Sequence, residues 1–173
     1  MINIRRVIEE DAKSISFLGK KTFDESFGHL FHDRKDLIAY LDHTFSVPKI
    51  TKSIQKPNNV YWLVLDDDLP IGYAKLQLNA PSKFIDANTT VCKLQRIYFL
   101  KSYASQGIGN KLQQMIFDEA RGSGNTNLWL SALKDNERAI AFYERSDYEI
   151  VGEHPFSIGK QEFDFWVMSK RLL

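Results

Sequence analysis

An apolar run, Leu94-Gln95-Arg96-Ile97-Tyr98-Phe99-Leu100, leads through Gln106-Gly107-Ile108-Gly109 into a helical pattern carried by Ile108, Leu112, Met115, Ile116 and Phe117. A second, near-continuous apolar run, Leu128-Trp129-Leu130-Ser131-Ala132-Leu133, follows. Strand, helix, strand in that order implies a parallel pair joined by a right-handed crossover. A run as apolar as the second is what a strand covered on both faces requires. The glycines sit where a strand hands over to a helix, and a helix start aims free backbone N–H groups at an anion. Glycine lets that backbone approach a phosphate with no Cβ in the way.

The rest of the chain supplies the neighbours of that unit. Residues 2–7 alternate as a first strand, and Glu9-Glu10-Asp11 opens a helix whose apolar face is Ile15, Leu18, Thr22 and Phe23, running to about Phe27. A second helical pattern covers 33–45 with Leu37, Ile38, Leu41 and Phe45 on one side, and Pro48 and Pro57 bracket a short third segment. Val60–Leu65 and Ile71–Leu78 flank Asp66-Asp67-Asp68 as a hairpin, and 79–90 reads as a loop. The helix after the glycine loop spans about 106–121 and stops at Gly122-Ser123-Gly124-Asn125. Asn136 caps another helix, and 148–151 and 163–168 are closing strands. The order β-α-α-(α)-β-β-β-α-β-α-β-β predicts an α/β fold, a mixed sheet with helices on both faces, in a single domain over 1–173.

With 23 basic against 22 acidic residues, the net charge of +1 gives no basic excess to hold a nucleic acid. The lone cysteine, Cys92, allows no internal disulfide, so a reducing cytoplasmic setting is the default expectation. The first residues lack the apolar core of a secretion signal, and no apolar stretch is long enough to span a bilayer, so no membrane is expected. Neither of two common phosphate loops is present. Leu112 stands where a dinucleotide fingerprint has glycine or alanine, and the spacing and Lys-Ser/Thr of a Walker loop are missing. Alone, Gly-Ile-Gly is also what a tight strand-to-helix turn uses. Paired with Asn136-Glu137-Arg138-Ala139-Ile140-Ala141-Phe142-Tyr143, it points to a nucleotide-like cofactor held by its phosphates, with a tyrosine near the reacting end.

Those two segments resemble the GCN5-related N-acetyltransferase (GNAT) superfamily. Ala104-Ser105-Gln106-Gly107-Ile108-Gly109 lies where that family has its Q/R-x-x-G-x-G/A loop, and Asn136, Ala139, Phe142 and Tyr143 match its N-x-x-A-x-x-F-Y segment. The strand order is similar over essentially the whole chain. Two positions depart: Ala104 replaces the usual Gln or Arg, and Asp147 replaces the glycine after the Phe-Tyr helix, which calls for an aspartate in the left-handed region. A narrower likeness is to PaiA-type spermidine/spermine acetyltransferases, through Thr22-Phe23-Asp24-Glu25-Ser26-Phe27, Arg96-Ile97-Tyr98 and Asn127-Leu128-Trp129-Leu130.

The resemblance implies a mostly antiparallel sheet of six to seven strands with a splayed parallel pair. It also implies acetyl-CoA as co-substrate, with no metal, and a primary amine as acceptor, a polyamine or diamine by the narrower likeness. The cofactor-binding residues it implies are Ile97, Tyr98, Phe99, Ser105, Gln106, Gly107, Ile108, Gly109, Asn110, Asn136 and Tyr143. Tyr143 is the implied general acid for the departing thiolate. Phe23, Asp24, Glu25 and Phe27 are expected at the amine, Asp24 and Glu25 as substitutes for glutamates that PaiA-type relatives carry where this chain has Lys93 and Gln95. Rivals are acetylation of a peptide or aminoglycoside-type amine, and an acyl-CoA-binding regulatory module without turnover. A homodimer is left open. His29, His32 and His43 lack the companions of a metal site, and Arg138 and Arg145 are either surface charges or reach a phosphate.

Overall fold

The computed structural model describes residues 1–172. A seven-stranded mixed sheet has the order β1-β2-β3-β4-β5-β7-β6. Its strands are β1 (Ile2–Arg6), β2 (Asn59–Asp66), β3 (Leu69–Gln77), β4 (Val91–Phe99), β5 (Asn127–Leu133), β6 (Glu149–Ile158) and β7 (Gln161–Arg171). The helices are α1 (Ala12–Phe27), α2 (Arg34–Thr44), α3 (Val47–Gln55), α4 (Ile108–Gly122) and α5 (Glu137–Arg145). All neighbours pair antiparallel except β4 with β5. The last strand does not add at the edge: β7 lies between β5 and β6.

Alternation in β2 explains the two layers. Val60, Trp62 and Val64 pack with Leu112, Ile116 and Phe117 of α4, while Tyr61, Leu63 and Leu65 pack with Ile15 and Leu18 of α1, Leu37 of α2 and Ile50 of α3. The strand is therefore buried on both faces, and every position in it from Val60 to Leu65 is apolar. Helix α1 is fixed to β1 by Asp11, which accepts from both guanidinium nitrogens of Arg5 at 2.7 and 2.9 Å and from the amide of Ile8 at 2.8 Å. Asp33 and Ser46 cap α2 and α3 by accepting from the amides of Lys35 and Lys49.

Three boundaries differ from the sequence reading. The acidic triplet 9–11 forms a 3₁₀ turn and α1 starts at Ala12, because Asp11 is committed to Arg5 and not to the helix start. Helix α4 starts at Ile108 rather than 106, since Ser105 (φ 65°) and Gly107 (φ 76°) are both left-handed. Strands β6 and β7 run well past 148–151 and 163–168, joined by a turn at Gly159 (φ 58°). No described helix is long and apolar enough to cross a membrane.

Candidate active site

Strands β4 and β5 pair only at Val91, Cys92 and Lys93, opposite Asn127, Leu128 and Trp129. Beyond Lys93 they part. Leu94–Phe99 keep β3 as their ladder neighbour and Leu130–Leu133 keep β7, so each strand turns one unpaired edge to the gap. The parting begins at a β-bulge: Lys75 faces Arg96 and Leu76 faces Leu94, leaving Gln95 without a partner on β3. A bulge bends its strand and steepens the local twist, which swings the far half of β4 away from β5. The gap is a slot lined by backbone donors and acceptors, able to accept an extended ligand carrying amides.

The glycine loop lies past the far end of β4. None of the amides of Gln106 to Asn110 meets a protein acceptor among the described residues; the ladder of α4 begins with Lys111 donating to Gly107 at 3.4 Å. Six donors from Ser105 onward, in a backbone that alternates through left-handed residues at Ser105 and Gly107, form a concave anion seat. The seat fits a diphosphate. A Cβ at Gly107 would meet nothing within 4 Å, so the glycine there serves backbone conformation and not space. Arg138 of α5 donates to the Ser105 hydroxyl, bringing a guanidinium to the rim.

Asn136 caps α5 by accepting from the Ala139 amide at 3.2 Å, and this fixes the helix against the opening. One turn on, the half-buried Tyr143 packs edge-on to Phe142 and Tyr148, with ring centroids 5.5 and 5.4 Å apart, and borders the cavity between the sheet and α1. Burial pushes its phenol well above the ordinary tyrosine value, with a smaller push from Tyr98, so it holds its proton at neutral pH. Asp147, left-handed at φ 67°, closes α5 where glycine is usual.

The cavity, about 300 Å³, is walled by Phe23 and Phe27 of α1, Tyr98 of β4, Ser131 of β5 and His154 and Phe163 of the β6–β7 hairpin. Its rings interlock: Phe27 meets Tyr98 edge-on at 6.2 Å, and Phe31 lies 5.1 Å from Phe163. Ile97, Asn136 and Tyr143 also border it, while Phe99 packs beneath with the α4 core. Asp24 and Glu25 do not. Asp24 takes both guanidinium nitrogens of Arg34 at 3.0 and 2.7 Å, which holds its carboxyl below the usual range. Glu25 accepts from the Lys101 amide at 3.2 Å.

Four cavity-lining residues, His154, Ser131, Arg96 and Lys93, are not marked as site residues by the sequence. His154 stacks on Phe165 at 5.4 Å, its Nδ1 lies 3.0 Å from the Pro155 carbonyl and its Nε2 lies 2.9 Å from Ser131 Oγ. With Nδ1 donating to that carbonyl, Nε2 is left to accept from the serine. Nothing local marks His154, since its stretch Gly152-Glu153-His154-Pro155 lacks strand alternation. Arg96 and Lys93 also reach the wall. Cys92 is buried, its thiol pushed up to about 12 by desolvation, and is inert. His29, His32 and His43 are exposed, and among the described residues no group of three metal-binding side chains occurs.

A model of the acetyltransferase (GNAT) family matches residues 21–148. This chain belongs to the GNAT family. It is thereby an acetyl-CoA-dependent acyltransferase. Among its relatives is an uncharacterized N-acetyltransferase from the pepI 3′ region of Lactobacillus delbrueckii subsp. lactis, 26% identical over 99% of this GNAT chain and 98% of the relative. YjgM of Escherichia coli K12, also an uncharacterized N-acetyltransferase, is 28% identical over 66% of this chain and 68% of its own. Solved structures of similar fold include the PaiA N-acetyltransferase of Thermoplasma acidophilum in complex with coenzyme A, with a TM-score of 0.76 at 18% identity over 99% of both chains. Another is Arabidopsis thaliana NAA60 with a bisubstrate analogue, with a TM-score of 0.72 at 16% identity over 99% of this chain and 98% of that one.

Proposed function

We propose that residues 1–173 act as one N-acetyltransferase domain that moves acetyl from acetyl-CoA to the nitrogen of a primary amine by direct attack. The observation that carries this reading is the run of unpartnered amides from Gln106 to Asn110 at the mouth of the slot between β4 and β5. Those amides, with Ser105 and Arg138 at the rim, hold the diphosphate. The free edge of β4 at Ile97, Tyr98 and Phe99 pairs with the amides of the pantetheine arm, and a main-chain N–H there donates to the carbonyl oxygen as it gains charge. The new C–N bond forms as the C–S bond breaks; the amine gives up one proton and the departing sulfur gains one. The sulfur's proton comes from Tyr143 Oη. Enclosure raises this phenol, so it keeps its proton at neutral pH and donates a hydrogen bond to the sulfur, passing the proton only as the sulfur takes up charge.

The amine needs a proton acceptor, since with a pKa of about 10.4 only about four molecules in ten thousand are neutral at pH 7. Ser131 and His154 supply it, the hydroxyl passing the proton to Nε2 at 2.9 Å. The polyamine expectation rests on the likeness of the Thr22–Phe27 segment. That segment brings two phenyl rings to the cavity, but Asp24 and Glu25 do not border it, and among the described residues no carboxylate borders the cavity to receive a polycation.

The test has two stages. Acetyl-CoA raises the thermal midpoint in a titration, and thiol release is then followed with a panel of primary amines that includes spermidine and N-terminal peptides. Stabilisation with thiol release from at least one amine is the expected result. Stabilisation with no release from any amine supports a binding module in place of an enzyme.

A further inference from the structure

The cavity's floor is cationic, and its charges are uncompensated. Arg96 and Lys93 border it on the α1–α3 side of the sheet, and Lys75 stands directly opposite Arg96 on β3. Lys49 of α3 lines the adjoining groove with Arg96. Among the described residues none of these side chains has an acidic partner. They rest on rings instead: Arg96 over Phe45 at 4.5 Å, Lys93 over Trp129 at 4.5 Å and Lys75 over Tyr61 at 5.6 Å. Among the described residues the groove's one carboxylate, Asp36, is turned to the hairpin and accepts from the Lys160 amide at 3.0 Å.

Like charges directly opposite on neighbouring strands destabilise a sheet. Lys75 shows the strain, pushed down to about 7 by burial and then by Arg96, Lys56, Lys93 and Lys49. Lys93 is lowered by burial and by Arg96. An anion between these groups relieves all of the repulsions together. The cofactor's phosphates are not that anion. Their seat lies past the other end of β4, and Ile97 and Phe99, which lead to it, face the α4 core on the opposite side of the sheet from Arg96.

On the reading that this is an amine acetyltransferase, we infer that the acceptor is an amine that also carries a carboxylate, an amino-acid-like molecule with an apolar body. Its carboxylate sits on Arg96 and Lys93, its apolar body among Phe23, Phe27 and Phe163, and its amine toward Ser131 and Tyr143. At a rise of about 3.3 Å per residue, Arg96 is about 7 Å along β4 from Tyr98, the span of an amino acid or a dipeptide.

Calorimetry on the coenzyme-A-loaded protein compares L-phenylalanine and L-alanyl-L-phenylalanine with their C-terminal amides and with spermidine. The acids bind about tenfold tighter than the amides, the size of one charge-assisted contact, and spermidine binds more weakly than either. Arg96→Gln brings the acid-to-amide ratio to about one. Lys93→Gln, which leaves Arg96 seated on Phe45, lowers it about threefold. Coenzyme A titrated alone binds both variants as it binds the wild type, which shows that they fold. Acids that bind no better than their amides, or spermidine bound tightest, overturn the inference and leave amine acetylation standing. Preference for the acids with no thiol release from any amine retains the anion site and removes the transferase reading.

Discussion

Tyr143 and Gly107 carry the chemistry of single residues in different ways. Tyr143→Phe keeps the ring that packs on Phe142 and Tyr148 and deletes only the donor. The expected loss in kcat is about 10²-fold or more with acetyl-CoA affinity near wild type; steady-state kinetics beside calorimetry checks this, and equal loss in both would reduce Tyr143 to packing. The sign of its pH dependence follows from burial. The raised phenol stays protonated through the neutral and mildly basic range, so its ionisation removes no activity below about pH 10. A wild-type kcat profile that falls between pH 8 and 9 and is flattened in Tyr143→Phe sinks the assignment. At Gly107, alanine is forced into the left-handed region at a cost of about 1–2 kcal/mol. Gly109 differs: it is helical, and a Cβ there meets Phe142 at an ordinary 3.5 Å. Gly109→Ala is neutral or stabilising by up to about 1 kcal/mol, and urea unfolding of the two variants separates these cases.

Among elements, β1 and α1 are joined by the Arg5–Asp11 pair, and that joint has a pH signature. Hydrogen bonding to Arg5 lowers the Asp11 carboxyl more than burial raises it. A lowered folded value means stability that is present above the unfolded carboxylate value of about 3.9 and is lost as pH falls through the folded one. Asp11→Asn costs about 1–3 kcal/mol at pH 7, and its deficit against wild type shrinks toward zero near pH 2; denaturant midpoints at the two pH values measure it. At this scale the sequence was legible wherever one periodicity ruled. The apolar run of β2 and the turn at Asp66–Asp68 were plain because burial on both faces leaves little choice of residue. The sequence places the start of α4 two residues early because Gln106 can sit in a helix, and the left-handed Ser105 and Gly107 on either side of it exclude that. The sequence shows only about half of the β6–β7 hairpin: in Gly152–Ser157 the side chains are exposed or only half-buried, so no hydrophobic alternation is imposed.

For the whole molecule, the two halves of the site differed in legibility for a physical reason. Residues 105–110 and Asn136–Tyr143 each show a short local pattern, and the β5 strand between them returns the chain so that the two meet, as the Arg138–Ser105 hydrogen bond shows. The cavity joins Phe23 and Phe27 to His154 and Phe163, a meeting no local pattern records, so nothing in the sequence marks His154 or shows that Asp24 and Glu25 turn to Arg34 and the Lys101 amide and do not border the cavity. The position of β7 between β5 and β6 carries a cost during synthesis. When β5 leaves the ribosome its ladder holds only the short contact at Val91–Lys93, and it stays so until residues 161–171 arrive to slide in beside it. Loop-closure entropy makes such late, distant pairing slow. A chain halted before Gln161 is expected to bind chaperones and resist native purification, whereas an extension fused after the last strand is expected to delay maturation without preventing it; pulse-chase protease protection distinguishes the two.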